Sequence, residues 1–145
     1  GTQDIFYERG DVRVCNIHGD PSEVFPYFLG HADEHGAGRG DGHNYNLPLP
    51  RGTDAETWFG TLDRAIDWLS TSSPTALIVS LGLDTFVDDP ISHFRLQHPD
   101  FIRLGHRLAA IELPTVLVME GGYATEELGQ NMTAVLSGFE TGRSA

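Results

Sequence analysis

Ile78-Val79-Ser80-Leu81-Gly82-Leu83-Asp84 and Val116-Leu117-Val118-Met119-Glu120-Gly121-Gly122-Tyr123 decide how this chain reads. Each is a short apolar run that halts at glycine and then presents one polar side chain, a carboxylate in the first and a phenol in the second. Runs of this length read as buried parallel strands. Ligands of open parallel sheets sit beyond the carboxyl ends of the strands. Asp84 and Tyr123 therefore stand where an active site is expected.

Working outward, an earlier strand is expected over residues 12–17, followed by a glycine-rich loop over residues 18–52. In that loop Gly36, Gly38, Gly40 and Gly42 alternate with Ala37, Arg39 and Asp41, and Pro48 and Pro50 stiffen its exit. Connections longer than ~15 residues usually carry function. Thr53 with Glu56 has the pattern of a capping box. Trp58, Leu62, Ala65, Ile66 and Leu69 then recur at helical spacing until Ser72-Ser73-Pro74. The second strand is expected over residues 75–81. Pro99-Asp100 opens a helix with Phe101, Leu104, Leu108 and Ile111 on one face. Pro114 separates it from the third strand, and Leu128, Met132, Val135 and Phe139 mark a last helix. All three stripes read as core. The alternation implies βαβ units around a parallel sheet, an α/β fold. Gly1-Thr2-Gln3-Asp4 carries no helix or strand signal, and the chain is expected to be a portion of a longer one.

Nine basic against twenty-one acidic residues give a formal charge of −12. Such a surface repels nucleic acid and anionic membranes and attracts cationic ligands; it also serves plain solubility. No apolar run approaches the ~20 residues of a membrane span. The lone Cys15 excludes a disulfide framework and suits a reducing, cytoplasmic setting as a buried, inert thiol.

The first strand also ends in polar residues, Asn16-Ile17-His18-Gly19-Asp20. His18 or Asp20, Asp84, and Glu120 or Tyr123 could thus converge. Carboxylate and imidazole form the ligand set of a hydrolytic Zn²⁺ or Fe²⁺ site, and a tyrosine hydroxyl can stabilise an oxyanion. Each has a plainer reading: a structural histidine, aspartates capping turns around Asp88-Asp89-Pro90, and a half-buried tyrosine. The glycine loop lacks the spacing of a phosphate cradle.

Several motifs in order resemble the histone deacetylase superfamily. They are Gly1-Thr2-Gln3-Asp4-Ile5-Phe6-Tyr7; Ile17-His18-Gly19-Asp20-Pro21 with Phe25-Pro26; Gly36-Ala37-Gly38-Arg39-Gly40 leading to Asn46-Leu47-Pro48-Leu49-Pro50; Ser80-Leu81-Gly82-Leu83-Asp84-Thr85-Phe86; Asp89-Pro90; and Glu120-Gly121-Gly122-Tyr123. The second and last are most similar to the bacterial acetylpolyamine amidohydrolase branch.

The resemblance implies a three-layer parallel-sheet arginase/deacetylase fold. Residues 1–145 would be the C-terminal portion of a single catalytic domain. It implies zinc-dependent hydrolysis of the N-acetyl amide of acetylpolyamines, by attack of metal-activated water. Asp84 matches a zinc ligand, and Tyr123 the residue that polarises the acetyl carbonyl and stabilises the oxyanion. Phe25 matches a wall of the substrate tunnel, and Gly121 and Gly122 lie beside it. Backbone carbonyls around Phe6, Arg9, Val12 and His43 match a potassium site, and Asn16 and Ile17 part of another nearer the zinc. His18 falls where the family has no zinc ligand, so its structural reading is preferred.

The family's D-x-H ligand motif and its pair of catalytic histidines are expected upstream of Gly1. The segment alone would then lack metal ligands and the general base, and be inactive. The expected partner is a small cationic acetylated amine, with Asp33 and Glu34 candidates for the tunnel mouth and a homodimer one compatible assembly. A protein acetyl-lysine deacetylase, or an inert α/β fragment, are the alternatives.

Overall fold

The computed structural model describes residues 1–25 and 27–143; Pro26 of the Phe25-Pro26 motif lies outside them. The chain groups into two compact units, residues 1–73 and 74–145.

The first unit runs α1 (Thr2–Phe6), β1 (Val14–Gly19), a 3₁₀ turn (Gly38–Gly40), β2 (Asn44–Leu49) and α2 (Ala55–Ser70). β1 and β2 are parallel, with Val14 opposite Asn44 and Gly19 opposite Leu49. The expected loop over residues 18–52 thus contains a strand. Its signal was masked by Pro48, which lacks an N–H for a ladder, and by the amides of Asn44 and Asn46. Likewise α1 is a short helix where no element was expected.

Helix α2 starts one residue later than the capping pattern suggests. Asp54 is the N-cap, its carboxylate accepting from the Thr57 N–H at 2.9 Å, while Thr53 donates its hydroxyl to the Pro50 carbonyl at 2.7 Å. At the other end Arg13 donates to the Trp68 carbonyl at 2.8 Å and lies over the Trp68 ring. A cation there satisfies an orphan carbonyl and suits the helix dipole. Val14, Leu47, Leu49, Trp58, Phe59, Leu62 and Ala65 form this unit's core.

The second unit runs β3 (Leu77–Leu81), α3 (His98–Ala109), β4 (Thr115–Met119) and α4 (Leu128–Arg143). β3 and β4 are parallel, with Leu77 opposite Thr115 and Leu81 opposite Met119, as a βαβ unit requires. Gln97 caps α3 in a reciprocal capping box with Asp100. The two helices of this unit meet through small residues. A side chain at Gly105 would strike the backbone of Val135 and Phe139, and one at Gly138 the backbone of Ile102. Phe101, Leu104 and Leu108 are buried as the stripe of α3 requires; on α4 Val135 is fully buried and Met132 and Phe139 only half. One face of the strand pair presents Ile78, Val116 and Val118 exposed. Among the described residues no helix is long and apolar enough to cross a membrane.

Candidate functional site

The pairing of β3 with β4 continues past the strands. Glu120 N–H donates to the Leu81 carbonyl at 3.0 Å and Leu83 N–H to the Gly121 carbonyl at 2.8 Å. That continuation brings Asp84 beside the glycine pair. A Cβ on Gly121 would land on the Asp84 carboxylate, with Cγ at 2.7 Å, and one on Gly82 would lie 2.7 Å from its Oδ1. The glycines are therefore needed for close approach. Gly122 is at φ +142, where a side chain would also meet Leu128 and Leu83. Tyr123 follows, 53% exposed, beyond the end of β4.

Burial, above all, raises the Asp84 carboxyl above its ordinary value. The negative charges of Asp89 and Glu120 add to this, while its own backbone N–H and His93 act the other way. A half-buried carboxylate crowded by like charge is relieved by a bound cation. The chain's own donors do not amount to a zinc site, however. Structural and catalytic zinc takes at least three protein ligands, and among the described residues no group of three or more His, Cys, Asp or Glu could hold a metal.

Asp89, read from sequence as a turn cap, does more than that. It is 6% exposed. Its Oδ1 accepts from the Ile91 N–H at 3.0 Å, the expected turn, but its Oδ2 accepts from Tyr123 N–H at 2.6 Å and Ala124 N–H at 3.0 Å. Sequence spacing gave no sign of that long-range pair. A second unforeseen cluster joins His98 to the buried Asn131 at 2.6 Å and to Glu127 at 3.2 Å, with the Phe86 ring against the imidazole.

The first unit holds the other expected residues. His18 places Nδ1 2.9 Å from the Gly19 carbonyl, and its ring fills the space where Gly30, at φ +90, has no side chain. Those contacts agree with a structural histidine. Asp20 is half-buried and accepts from Ser22 N–H at 2.8 Å; hydrogen bonds from the Ser22 side chain and backbone lower its pKa. Phe25 is 80% exposed and sits edge-on to Tyr27, 6.4 Å away. Glu34 is half-buried, and its Oε2 accepts from Gln3 at 2.7 Å, Gly30 N–H at 2.8 Å and Asn46 at 3.3 Å. Asp33 is exposed.

Phe6 ends α1, Arg9 and Val12 lie between α1 and β1, and His43 just before β2. These stretches are laced by Ala37 N–H to the Tyr7 carbonyl and Val14 N–H to the His43 carbonyl, both at 2.9 Å. Asn16 donates to Asn46 at 2.9 Å, and Ile17 pairs with Leu47. Burial pushes the Cys15 thiol up to about 12, which leaves it unreactive.

The histone deacetylase domain family matches residues 1–139. Acetylpolyamine amidohydrolases 1 and 2 of Pseudomonas aeruginosa are 52% and 55% identical over 140 residues, covering 97% of this chain and 40% and 41% of those proteins. The crystal structure of an acetylpolyamine aminohydrolase from Burkholderia pseudomallei superposes with a TM-score of 0.95 at 44% identity, over 98% of this chain and 42% of that one. The chain thus spans about 40% of the length of the curated relatives it matches. With its parallel strand ends, glycine-framed carboxylate and tyrosine, the chain belongs to the histone deacetylase domain family.

Proposed function

We propose that this chain is the C-terminal part of a deacetylase that hydrolyses the N-acetyl amide of acetylated polyamines. The observation that carries the reading is the adjacency, within one unit, of the Asp84 carboxylate and the Gly121-Gly122-Tyr123 turn. Tyr123 is the group that donates a hydrogen bond to the oxyanion as the amide carbonyl becomes tetrahedral. Such donors are worth ~10²–10³ in turnover. The formal charge of −12 favours a cationic amine substrate. Relatives that carry the name acetylpolyamine amidohydrolase support that choice.

Phe25 is assigned to one wall of the acyl site, and the bare backbone of Gly121 and Gly122 to the side along which the substrate lies. In the complete protein a zinc ion would supply Lewis acidity and an acidic bound water. Asp84 is the ligand this chain offers to it, and by itself it is insufficient, so the 145-residue chain alone is proposed to be inert. The carbonyls of Phe6, Arg9, Val12 and His43 are assigned to K⁺, with Asn16 and Ile17 to another such ion. The lone, unreactive Cys15 supports a reducing cytoplasmic setting.

Turnover by the complete protein of acetylputrescine and acetylspermidine, against an acetyl-lysine peptide, tests the assignment. The polyamines should be preferred by at least tenfold in kcat/KM, about 1.4 kcal/mol of transition-state discrimination. Equal or faster turnover of the peptide would transfer the reading to a protein deacetylase.

A further inference from the structure

Tyr123 presents a difficulty of positioning. Two glycines precede it, and the residue is half exposed, so neither the local backbone nor packing holds it well. An oxyanion donor must be held to within a fraction of an ångström, because a misplacement of ~1 Å can lower a rate ~10²-fold. The carboxylate of Asp89 meets that need. It is buried, and its Oδ2 takes the N–H groups of both Tyr123 and Ala124 across 34 and 35 residues of sequence. Asp89 is itself fixed in a tight turn, with its N–H on the Phe86 carbonyl, its own carbonyl accepting from Ser92 N–H, and its Oδ1 on Ile91 N–H. Charge-assisted bonds from a carboxylate to backbone N–H groups are shorter and about twice as strong as neutral ones.

We propose that Asp89 is the positioning residue for Tyr123, a buried carboxylate clamp that fixes the backbone after the glycine pair so that the phenol meets the reacting carbonyl. Its catalytic consequence rests on the role assigned to Tyr123 above. The clamp itself can be read without turnover.

Asp89→Ala removes both acceptor oxygens, including the Oδ2 that takes both N–H groups, so the clamp is lost. In the complete protein this variant should lower kcat about 10–100-fold while KM shifts less than about threefold. Asp88→Asn, at the exposed neighbouring position, should leave both unchanged. Hydrogen exchange of the Tyr123 and Ala124 amides should quicken at least about tenfold in Asp89→Ala, with protection across β3, α3 and β4 kept. Unchanged exchange at those two amides, or unchanged kcat with quickened exchange, overturns the proposal. So does a loss of protection throughout the unit, which would make Asp89 a general folding residue. Local quickening in a protein whose wild type hydrolyses no acetyl amide would refute the functional reading and leave the clamp in place.

Discussion

The β1–β2 pair and the β3–β4 pair are both parallel, yet they are closed by different means. Between β1 and β2 the described residues of the stretch 20–43 form no α-helix, and polar side chains hold it: Gln3, Glu34, Asn44 and Asn46 share a hydrogen-bonded cluster. Between β3 and β4 a capped helix makes the crossing, and it meets α4 through apolar side chains and glycines in close approach, with polar contacts from His98 to Asn131 and from His106 to Thr141. Besides the His98–Asn131 contact, the second unit gathers polar groups beyond the strand ends, at Asp84, Asp89, Glu120 and Tyr123. The difference separates two uses of buried polarity. In the first unit it determines where a long loop lies; in the second it gathers the candidate site.

Substitutions can break that contrast. The largest effect is expected for Asp84→Ala, which should cut turnover of the complete protein by at least ~10²-fold, since even residues that merely support a metal's ligands cost 10–100-fold. Melting should change little, and a matching loss of bound metal checks the cause. Asn46→Ala should act in the opposite way. Asn46 is 1% exposed and bonds to Gln3, Asn16 and the His31 carbonyl, so its loss should cost about 2–3 kcal/mol in denaturant unfolding with kcat altered less than about threefold. Gly121→Ala forces a methyl against the Asp84 carboxylate and should cost about 1–3 kcal/mol together with activity, because in the second unit packing and site share atoms.

The smallest effect is a pH dependence. With the Asp84 pKa raised above 3.8, the folded chain holds that proton more tightly than the unfolded one. Stability contributed by Asp84 is therefore greatest at low pH and falls as pH rises from about 3.8 through the folded value. Unfolding of the metal-free chain across that range should show a negative slope in the wild type, relative to Asp84→Asn.

The sequence made the second unit's site visible because each of its parts is local: an apolar run, a glycine, one polar side chain. Asp84 and Gly121-Gly122-Tyr123 could be read in that way, and the motifs placed the chain in its family. Strand β2 was hidden because Asn44, Asn46 and Pro48 contradict strand propensity, and only the polar cluster that uses those amides explains them. The cap of α2 moved from Thr53 to Asp54 because adjacent residues offered equivalent oxygens. The Asp89 clamp and the Glu34 cluster join residues far apart in sequence, and no spacing rule reaches that far.

The central claim is that the second unit's strand ends carry the chemistry through the Tyr123 hydroxyl. Steady-state kinetics of Tyr123→Phe in the complete protein, on an acetylated polyamine, test it most directly. That substitution removes one oxygen from a half-exposed residue. The account predicts a fall in kcat of ~10²–10³ with KM and melting temperature nearly unchanged. A variant that turns over at the wild-type rate would contradict it.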